Sequence, residues 1–312
     1  MAQDTIVTDS GKIVIYRDEN PKYTKGDSAL FLNELSKAIY FYMKENDSLR
    51  KNYGSNKDDK YNLMLNNYNI VVTYSLLGDF DSAYNYLKKA LDIEYSYYAL
   101  IDPDMLLILN DQKYNSLKDS LMAFFISQNK EIENYDLALQ LMRLGQLDQY
   151  YRRSYQFYFD KFGIKSRQAD SIIKLQDKID STTFEKFEEI VINKGWPKLS
   201  VVGAEASMAA FLIVQHSALS VLEKYKTIIK PLVKEGEFYR SNYAMLVDRI
   251  LMYHKRKQIY GTQLEYNESN NKWELYPVKN KSRLNEIRKK MELGTIEDYL
   301  LQFGIDYDNS SK

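Results

Sequence analysis

Apolar residues recur at helical spacing along most of the chain. The clearest pattern covers 62–93, where they repeat every three to four positions on both sides of Gly78-Asp79-Phe80. The side chain of Asp27 or Ser28 can cap the helix predicted at about 28–45. The stretch 47–60 is polar and contains a glycine, so it predicts a loop. Further helices are predicted at about 28–45, 102–128, 136–160, 167–179, 182–194, 203–229, 239–256, 281–292 and 295–302.

Two stretches alternate apolar and polar residues, as strands do. The first is 5–16, which turns at Asp9-Ser10-Gly11, and the second is 260–278, which turns at Asn-Glu-Ser-Asn-Asn. Each predicts a β-hairpin. Together with the helices they indicate a mainly α protein.

Breaks in the pattern divide the chain into domains. Residues 1–23 are predicted to be an N-terminal hairpin and linker, and the polar run SQNKEIENYD at 127–136 separates two helical parts. The expected domains are therefore 24–130, a short helical stack, and 136–303, a compact helical domain that contains the hairpin 260–278.

The pattern around Gly78 resembles the tetratricopeptide repeat. The segment LLGDFDSAYNYLKKALDI at 76–93 matches the turn and second helix of that repeat, with the small residues Ala83 and Ala90 where two helices approach closely. The flanking segments 28–45 and 102–128 are similar to degenerate neighbours. The resemblance implies a helical stack that binds a protein partner.

Composition narrows the chemistry. The chain has 43 basic and 43 acidic residues, so no net field favours nucleic acid. It has no Cys and only two His, which excludes thiolate chemistry, and no metal-binding spacing or cofactor fingerprint is present, so neither a metal nor a cofactor is predicted. The longest apolar run, 206–214, is far shorter than the roughly 20 residues that span a bilayer. The opening MAQDTIV is consistent with an exported, periplasmic bacterial protein whose signal peptide has been replaced by an initiator Met. It is equally consistent with the ordinary start of a cytosolic protein, and both alternatives stay open.

Polar residues interrupt two helices that are otherwise apolar. The predicted helix 203–229 carries Gln215 and His216, and the predicted helix 239–256 carries Asp248 and Arg249. Consecutive helical residues point about 100° apart, so Asp248 and Arg249 cannot simply pair with each other. A buried charge without a partner costs several kcal/mol, so each of them needs a partner elsewhere.

These groups are expected to converge with Thr262 and Gln263, which follow the close-approach glycine Gly261. In this hypothesis Asp248 holds the imidazole of His216 in one tautomer, and Arg249 presents its planar fork to a carboxylate or phosphate. The alternative is an internal network that ties two core helices to the hairpin and binds nothing.

Five segments resemble, in residues and order, a bacterial domain family of unknown function. They are GWPKLSVVG at 195–203, VQH at 214–216, LVDR at 246–249, QIYGTQ at 258–263 and LDQYYRR at 147–153. The resemblance covers roughly 137–303 and implies no reaction. It adds five residues to the candidate ligand-binding set: Trp196, Asp148, Gln149, Arg152 and Tyr260. The alternative role of Trp196 is that of a core anchor.

Two functions therefore compete. One is a binding or scaffold protein, whose helical stack engages a protein while a C-terminal pocket holds a small anionic ligand. The other is a hydrolase or transferase that uses His216 as acid or base with Asp248 and Arg249.

Overall fold

The computed structural model describes residues 24–51, 57–267, 269–270 and 272–307, together with two short strands near the N-terminus. The fold is mainly α, as the periodicity predicts. Among the described residues, no helix combines the length and apolar composition that crossing a membrane requires.

Packing divides the chain into two units. The N-terminal unit contains the described residues of Asn20–Glu131 and Tyr135–Ile179. The C-terminal unit contains those of Asp180–Lys312, with Ile132–Asn134 and the strand pair near the N-terminus. The expected domain border at 130–136 differs from this division, and it stays a prediction.

The N-terminal unit is built from helices alone within its described residues. They are α1 (Lys25–Phe31), α2 (Leu35–Lys51), α3 (Lys57–Leu77), α4 (Phe80–Ile93), α5 (Pro103–Leu109), α6 (Asn115–Gln128), α7 (Tyr135–Gln149), α8 (Tyr155–Phe162) and the first part of α9 (Arg167–Lys194).

The start of this unit corrects three sequence predictions. The helix cap is Thr24, which forms a reciprocal capping box with Asp27, so neither Asp27 nor Ser28 is the cap. The predicted single helix 28–45 is two helices, because Asn33 adopts a left-handed φ of 59° between them. The predicted loop at 47–60 is helical up to Lys51 and again from Lys57.

Helices α3 and α4 form the hairpin that the strongest periodicity predicts. Gly78 turns the chain with a φ of 76°, and Asp79 caps α4 by accepting from the Ser82 backbone N–H. Ala83, Leu87, Ala90 and Leu91 form the buried face of α4.

The C-terminal unit follows from residue 180 of α9. Its elements are α10 (Leu199–Gln215), α11 (Leu219–Glu235), α12 (Arg240–Tyr253), α13 (Leu284–Lys290), α14 (Ile296–Leu301) and a hairpin of β3 (Leu264–Asn267) and β4 (Lys272–Leu275). Leu264 pairs with Leu275 in antiparallel register, which confirms the predicted hairpin.

Two helix boundaries in this unit were predicted wrongly. The expected helix 203–229 is two helices, separated at His216–Ala218, where Ala218 has extended backbone angles. The expected helices 167–179 and 182–194 are one continuous helix, α9. Its low-propensity stretch Ser181-Thr182-Thr183 stays helical, and Thr183 is buried.

The strand pair near the N-terminus agrees with the hairpin predicted at 5–16. β1 (Ile6–Val7) pairs antiparallel with β2 (Ile13–Val14). The predicted turn at Asp9-Ser10-Gly11 lies outside the described residues.

Candidate functional site

Helices α10 and α12 lie side by side and run in the same direction. Asn242 Nδ2 contacts Met208 Sδ at 3.7 Å, and Arg249 Nη1 donates to the Gln215 carbonyl at 2.9 Å. Both contacts join residues that are 34 apart in sequence, and they lie seven positions apart on each helix. Because seven residues make about two turns, one face of α10 packs along one face of α12.

Arg249 joins these helices to the segment before β3. It is only 7% exposed, and its Nε donates to Gln263 Oε1 at 3.1 Å. The Gln263 amide nitrogen in turn contacts Thr262 O and Oγ1, each at 3.2 Å. The structure thus brings together Gln215, Arg249, Thr262 and Gln263, four of the predicted site residues.

Asp248 holds the loop that precedes Gln263. Its carboxylate accepts from the backbone N–H groups of Ile259 at 2.7 Å, Tyr260 at 3.0 Å and Thr262 at 3.2 Å, and from Thr262 Oγ1 at 3.0 Å. Burial raises the pKa of Asp248 above its usual value, and these hydrogen bonds act in the opposite direction. Within the described chain all hydrogen bonds of this carboxylate go to the loop, so it stabilises the loop rather than the His216 imidazole.

Arg288, which the sequence analysis missed, binds the same loop. It is 2% exposed, and its Nη1 donates to the carbonyls of Tyr260 at 2.8 Å and Gly261 at 2.9 Å. Its Nε donates to Gly294 O at 2.7 Å, and its guanidinium lies 5.1 Å from the ring centre of Tyr299. Burial lowers the pKa of Arg288 to about 10.

A weak sequence signal for Arg288 exists. It lies four residues after the buried Leu284, on the same face of α13. The run Arg288-Lys289-Lys290 is also typical of exposed cations at the end of a helix. For this reason the sequence does not indicate that Arg288 is buried.

The side chain of Gln215 stands apart from the other buried glutamines. Gln176, Gln215, Gln258 and Gln263 are all 0% exposed. Gln258 donates to two carbonyls and accepts from the Gln263 N–H, and Gln176 and Gln263 also use both ends of their amides. Neither Oε1 nor Nε2 of Gln215 has a hydrogen-bond partner among the described residues.

Two more predicted residues border this cluster. His216 follows Gln215 as the C-cap of α10 and is partly exposed. The Tyr260 backbone belongs to the loop between Asp248 and Arg288, and burial, with Asp248 and Tyr243 nearby, raises the pKa of its phenol.

Trp196 lies in an aromatic core. Its ring centre is 5.7 Å from that of Tyr225 and 5.6 Å from that of Phe238. Its indole Nε1 has no hydrogen-bond partner in the described chain. The contacts of its ring are those of a core anchor, the first of the two roles that the sequence left open.

The remaining predicted residues belong to the N-terminal unit. Asp148 is 1% exposed, accepts from Gln149 Nε2 at 2.7 Å and lies 3.5 Å from Arg152 Nη1. Arg152 Nη1 also donates to the Asp148 carbonyl, and Gln176 Nε2 donates to the same oxygen at 2.8 Å. Gln149 and Arg152 therefore both contact Asp148 within their own unit.

The described residues contain no group of three or more His, Asp or Glu side chains placed to hold a metal ion. An open cleft of about 390 Å³ lies in the N-terminal unit. It is lined by Tyr158, Arg167, Gln168, Ser171, Ile172 and Leu175 and contains none of the predicted site residues.

Comparison with known proteins relates the C-terminal part of the chain to one family. No curated protein and no solved structure matches the chain. The model of the Family of unknown function (DUF6624) matches residues 135–309, more than half of the 312 residues and the whole predicted site. This match confirms the expected relation to a domain family of unknown function, whereas the role of the individual motifs stays a prediction. The chain belongs to the Family of unknown function (DUF6624).

Proposed function

We propose that this protein is a binding protein whose C-terminal unit holds a small anionic ligand through Arg249 and Gln215. The observation that carries the proposal is the buried Gln215 amide, whose two polar atoms have no partner among the described residues. An unpaired buried polar group costs about 1–3 kcal/mol. The other fully buried glutamines of the described residues are paired, so Gln215 is an exception that needs an explanation. A ligand that bonds to the Gln215 amide would remove this cost.

Arg249 supports an anionic ligand. Its guanidinium is oriented by the Gln215 carbonyl on one side and by Gln263 Oε1 on another. A buried, oriented guanidinium has the planar donor geometry that matches the two oxygens of a carboxylate or phosphate. Gln215 adds a donor and an acceptor beside it.

The cluster is covered in this conformation. Gln215 is 0% exposed, and Arg249 is 7% exposed, while the adjacent His216 and Tyr260 are partly exposed. A ligand that bonds to Gln215 therefore displaces the side chains that cover it. We expect binding to be coupled to a local rearrangement at this partly exposed rim.

The helical N-terminal unit is proposed to bind a protein partner. The α3–α4 hairpin resembles one tetratricopeptide unit, and Tyr61, Leu65 and Leu76 of α3 are 47%, 38% and 42% exposed. Their spacing places them on one face of α3. An apolar stripe of this kind suits a helical or extended segment of another protein. Replacing Leu65 and Leu76 by Gln should reduce co-purification of the native partner without lowering the unfolding temperature.

The second candidate is an enzyme that uses His216 as acid or base. It is favoured by the partial exposure of His216 directly after Gln215. In that case Asp248 supports the site through the loop 259–262, since its hydrogen bonds go there.

Calorimetric titration with orthophosphate and with acetate tests the anion-binding proposal. We expect saturable binding by the native chain, with an increase in unfolding temperature, because a ligand that binds only the folded state stabilises it. Arg249→Gln should abolish binding. Arg240→Gln, which changes an exposed arginine on the same helix, is the matched control and should bind normally.

Gln215→Glu provides a second variant in case Arg249→Gln does not fold. A carboxylate at this position can pair with Arg249 and would compete with an added anion. We expect a folded protein that no longer binds. Binding that survives in Gln215→Glu, or no binding of either anion by the native chain, would reject the proposal.

A further inference from the structure

One backbone amide of the loop between Asp248 and Arg288 is unused. The N–H groups of Ile259, Tyr260 and Thr262 all donate to Asp248. The N–H of Gly261, which lies between them, has no acceptor within the described part of the chain, although the residue is buried. A buried N–H without an acceptor is rare in folded proteins.

Arg288 strengthens this amide as a donor. Its Nη1 donates at 2.8 Å to Tyr260 O, the carbonyl of the peptide group that carries the Gly261 N–H. A hydrogen bond to a carbonyl polarises the whole peptide group, so the N–H at its other end becomes more positive. The nearby positive charge acts in the same direction.

The geometry of the loop gives the direction of the Gly261 N–H. In a trans peptide the N–H points away from the carbonyl, so this N–H points away from Arg288 Nη1. The next peptide behaves in the same way, because its carbonyl, Gly261 O, accepts from Arg288 while its N–H, that of Thr262, donates to Asp248. The Gly261 N–H therefore points away from Arg288, to the side of the loop that contains Asp248, the residue next to Arg249 in α12.

The neighbouring carboxylate leaves this N–H available. The two oxygens of Asp248 already accept from three backbone N–H groups and the Thr262 hydroxyl, so its lone pairs are used. Its negative charge is also spread over those donors. Gly261 itself is required here, since its φ is 68° and a Cβ would lie 3.1 Å from Ile296 Cδ1.

We propose that the Gly261 N–H is a second donor of the anion site, to an oxygen of a carboxylate or phosphate bound at Arg249, with Arg288 as the positioning residue that polarises it from the opposite side of the loop. This inference rests on the proposed function. It gives the site the arrangement of an oxyanion hole, in which a preorganised backbone N–H and a cation meet one ligand oxygen.

Selective labelling allows a direct test in the full chain. The sequence contains the pair Tyr-Gly only at Tyr53-Gly54 and Tyr260-Gly261. Protein with ¹³C-carbonyl tyrosine and ¹⁵N glycine therefore gives two correlated amide signals, and the Gly54 signal is the internal control. During titration with orthophosphate, we expect the Gly261 proton signal to move downfield and to saturate at the calorimetric midpoint, while the Gly54 signal stays in place.

A variant of the positioning residue adds a second readout. Arg288→Lys keeps the charge and loses the planar fork, so it should weaken phosphate binding by about tenfold, the loss typical of one charge-assisted hydrogen bond. Arg283→Lys, the same substitution at an exposed arginine that bonds Glu286, should leave the Gly261 shift intact. If Arg288→Lys does not fold, the titration of the native chain still decides.

The outcomes separate this inference from the proposed function. Calorimetric binding of phosphate with the Gly261 signal unmoved would overturn the inference and leave anion binding in place. If calorimetry detects neither phosphate nor acetate binding and the Gly261 signal does not move, both proposals are wrong. Calorimetric binding with a saturable Gly261 shift supports both.

Discussion

Asp248 and Arg288 bind opposite sides of one loop. The carboxylate accepts the N–H groups of Ile259, Tyr260 and Thr262, and the guanidinium donates to the carbonyls of Tyr260 and Gly261. The two buried charges therefore act on each other through the peptide groups of the loop. This arrangement satisfies both ions and holds the chain rigidly just before Gln263, the residue that orients Arg249.

Replacing Asp248 by Asn should destabilise the C-terminal unit by about 2–3 kcal/mol. An Asn side chain retains one acceptor oxygen, and its NH₂ group would face N–H groups that now donate to the second oxygen. Urea unfolding followed by tryptophan fluorescence measures the effect, because Trp196 and Trp273 both belong to this unit. Glu292→Gln, which alters an exposed ion pair with Arg240, should change stability by less than about 0.5 kcal/mol. Equal effects of the two substitutions would contradict the role of Asp248 in the loop.

Arg288→Lys should cost about 2 kcal/mol, since one ammonium cannot reproduce the fork that reaches three carbonyls. Hydrogen exchange should accelerate most at the amides of 259–262. The control is Arg283→Lys, whose exposed guanidinium bonds Glu286. If exchange in the loop is the same in both variants, Arg288 does not hold it.

A buried acidic pair in the N-terminal unit predicts a pH effect. Asp102 and Asp104 are 2% and 6% exposed, and Tyr150 donates to Asp104 Oδ1 at 2.8 Å. Burial, and then the charge of Asp102, raise the pKa of Asp104 above its usual 3.8. The folded state thus binds this proton more tightly than the unfolded state. The stability that it contributes is complete below 3.8 and is lost as the pH rises through the folded pKa.

Asp104→Asn removes this loss and keeps an acceptor for Tyr150. Its stability relative to the native chain should therefore increase as the pH rises from 4 to 8, measured by urea unfolding and far-ultraviolet circular dichroism. Asp111→Asn, which changes an exposed cap to another good cap residue, should show no such trend. A relative stability of Asp104→Asn that falls with pH would show that the carboxylate is stabilised in the fold.

Periodicity predicted the helical class and the α3–α4 hairpin because these depend on local spacing. It missed the break at His216–Ala218, since no glycine or proline marks it and the apolar spacing continues across it. The break instead uses a Ser217 hydroxyl bonded to Ile213 O and a Ser217 N–H bonded to Val214 O. Such side-chain bonds to the backbone cannot be read from an apolar pattern.

The candidate site was predictable only in part. Buried polar residues in apolar helices need partners, and this rule agrees with the bond from Arg249 to Gln263, whereas Gln215 joins them only through its backbone carbonyl. The partner of Asp248 was not predictable, because backbone N–H groups of any sequence can satisfy a carboxylate. Arg288 was missed because its contacts are carbonyls, which leave no trace in side-chain spacing.

The central claim is that Gln215 is kept unpaired for a ligand. The variant Gln215→Met is nearly isosteric and removes the two unpaired polar atoms, and Gln258→Met removes a buried amide whose polar atoms are paired. Both glutamines are fully buried in the same unit, so they form a matched pair.

The decisive measurement is the free energy of unfolding of both variants, together with orthophosphate titration of Gln215→Met. We expect Gln215→Met to be more stable than the native chain by about 1–2 kcal/mol and to have lost phosphate binding, while Gln258→Met loses about 3 kcal/mol. A Gln215→Met protein that is destabilised as much as Gln258→Met and binds phosphate normally would contradict the account.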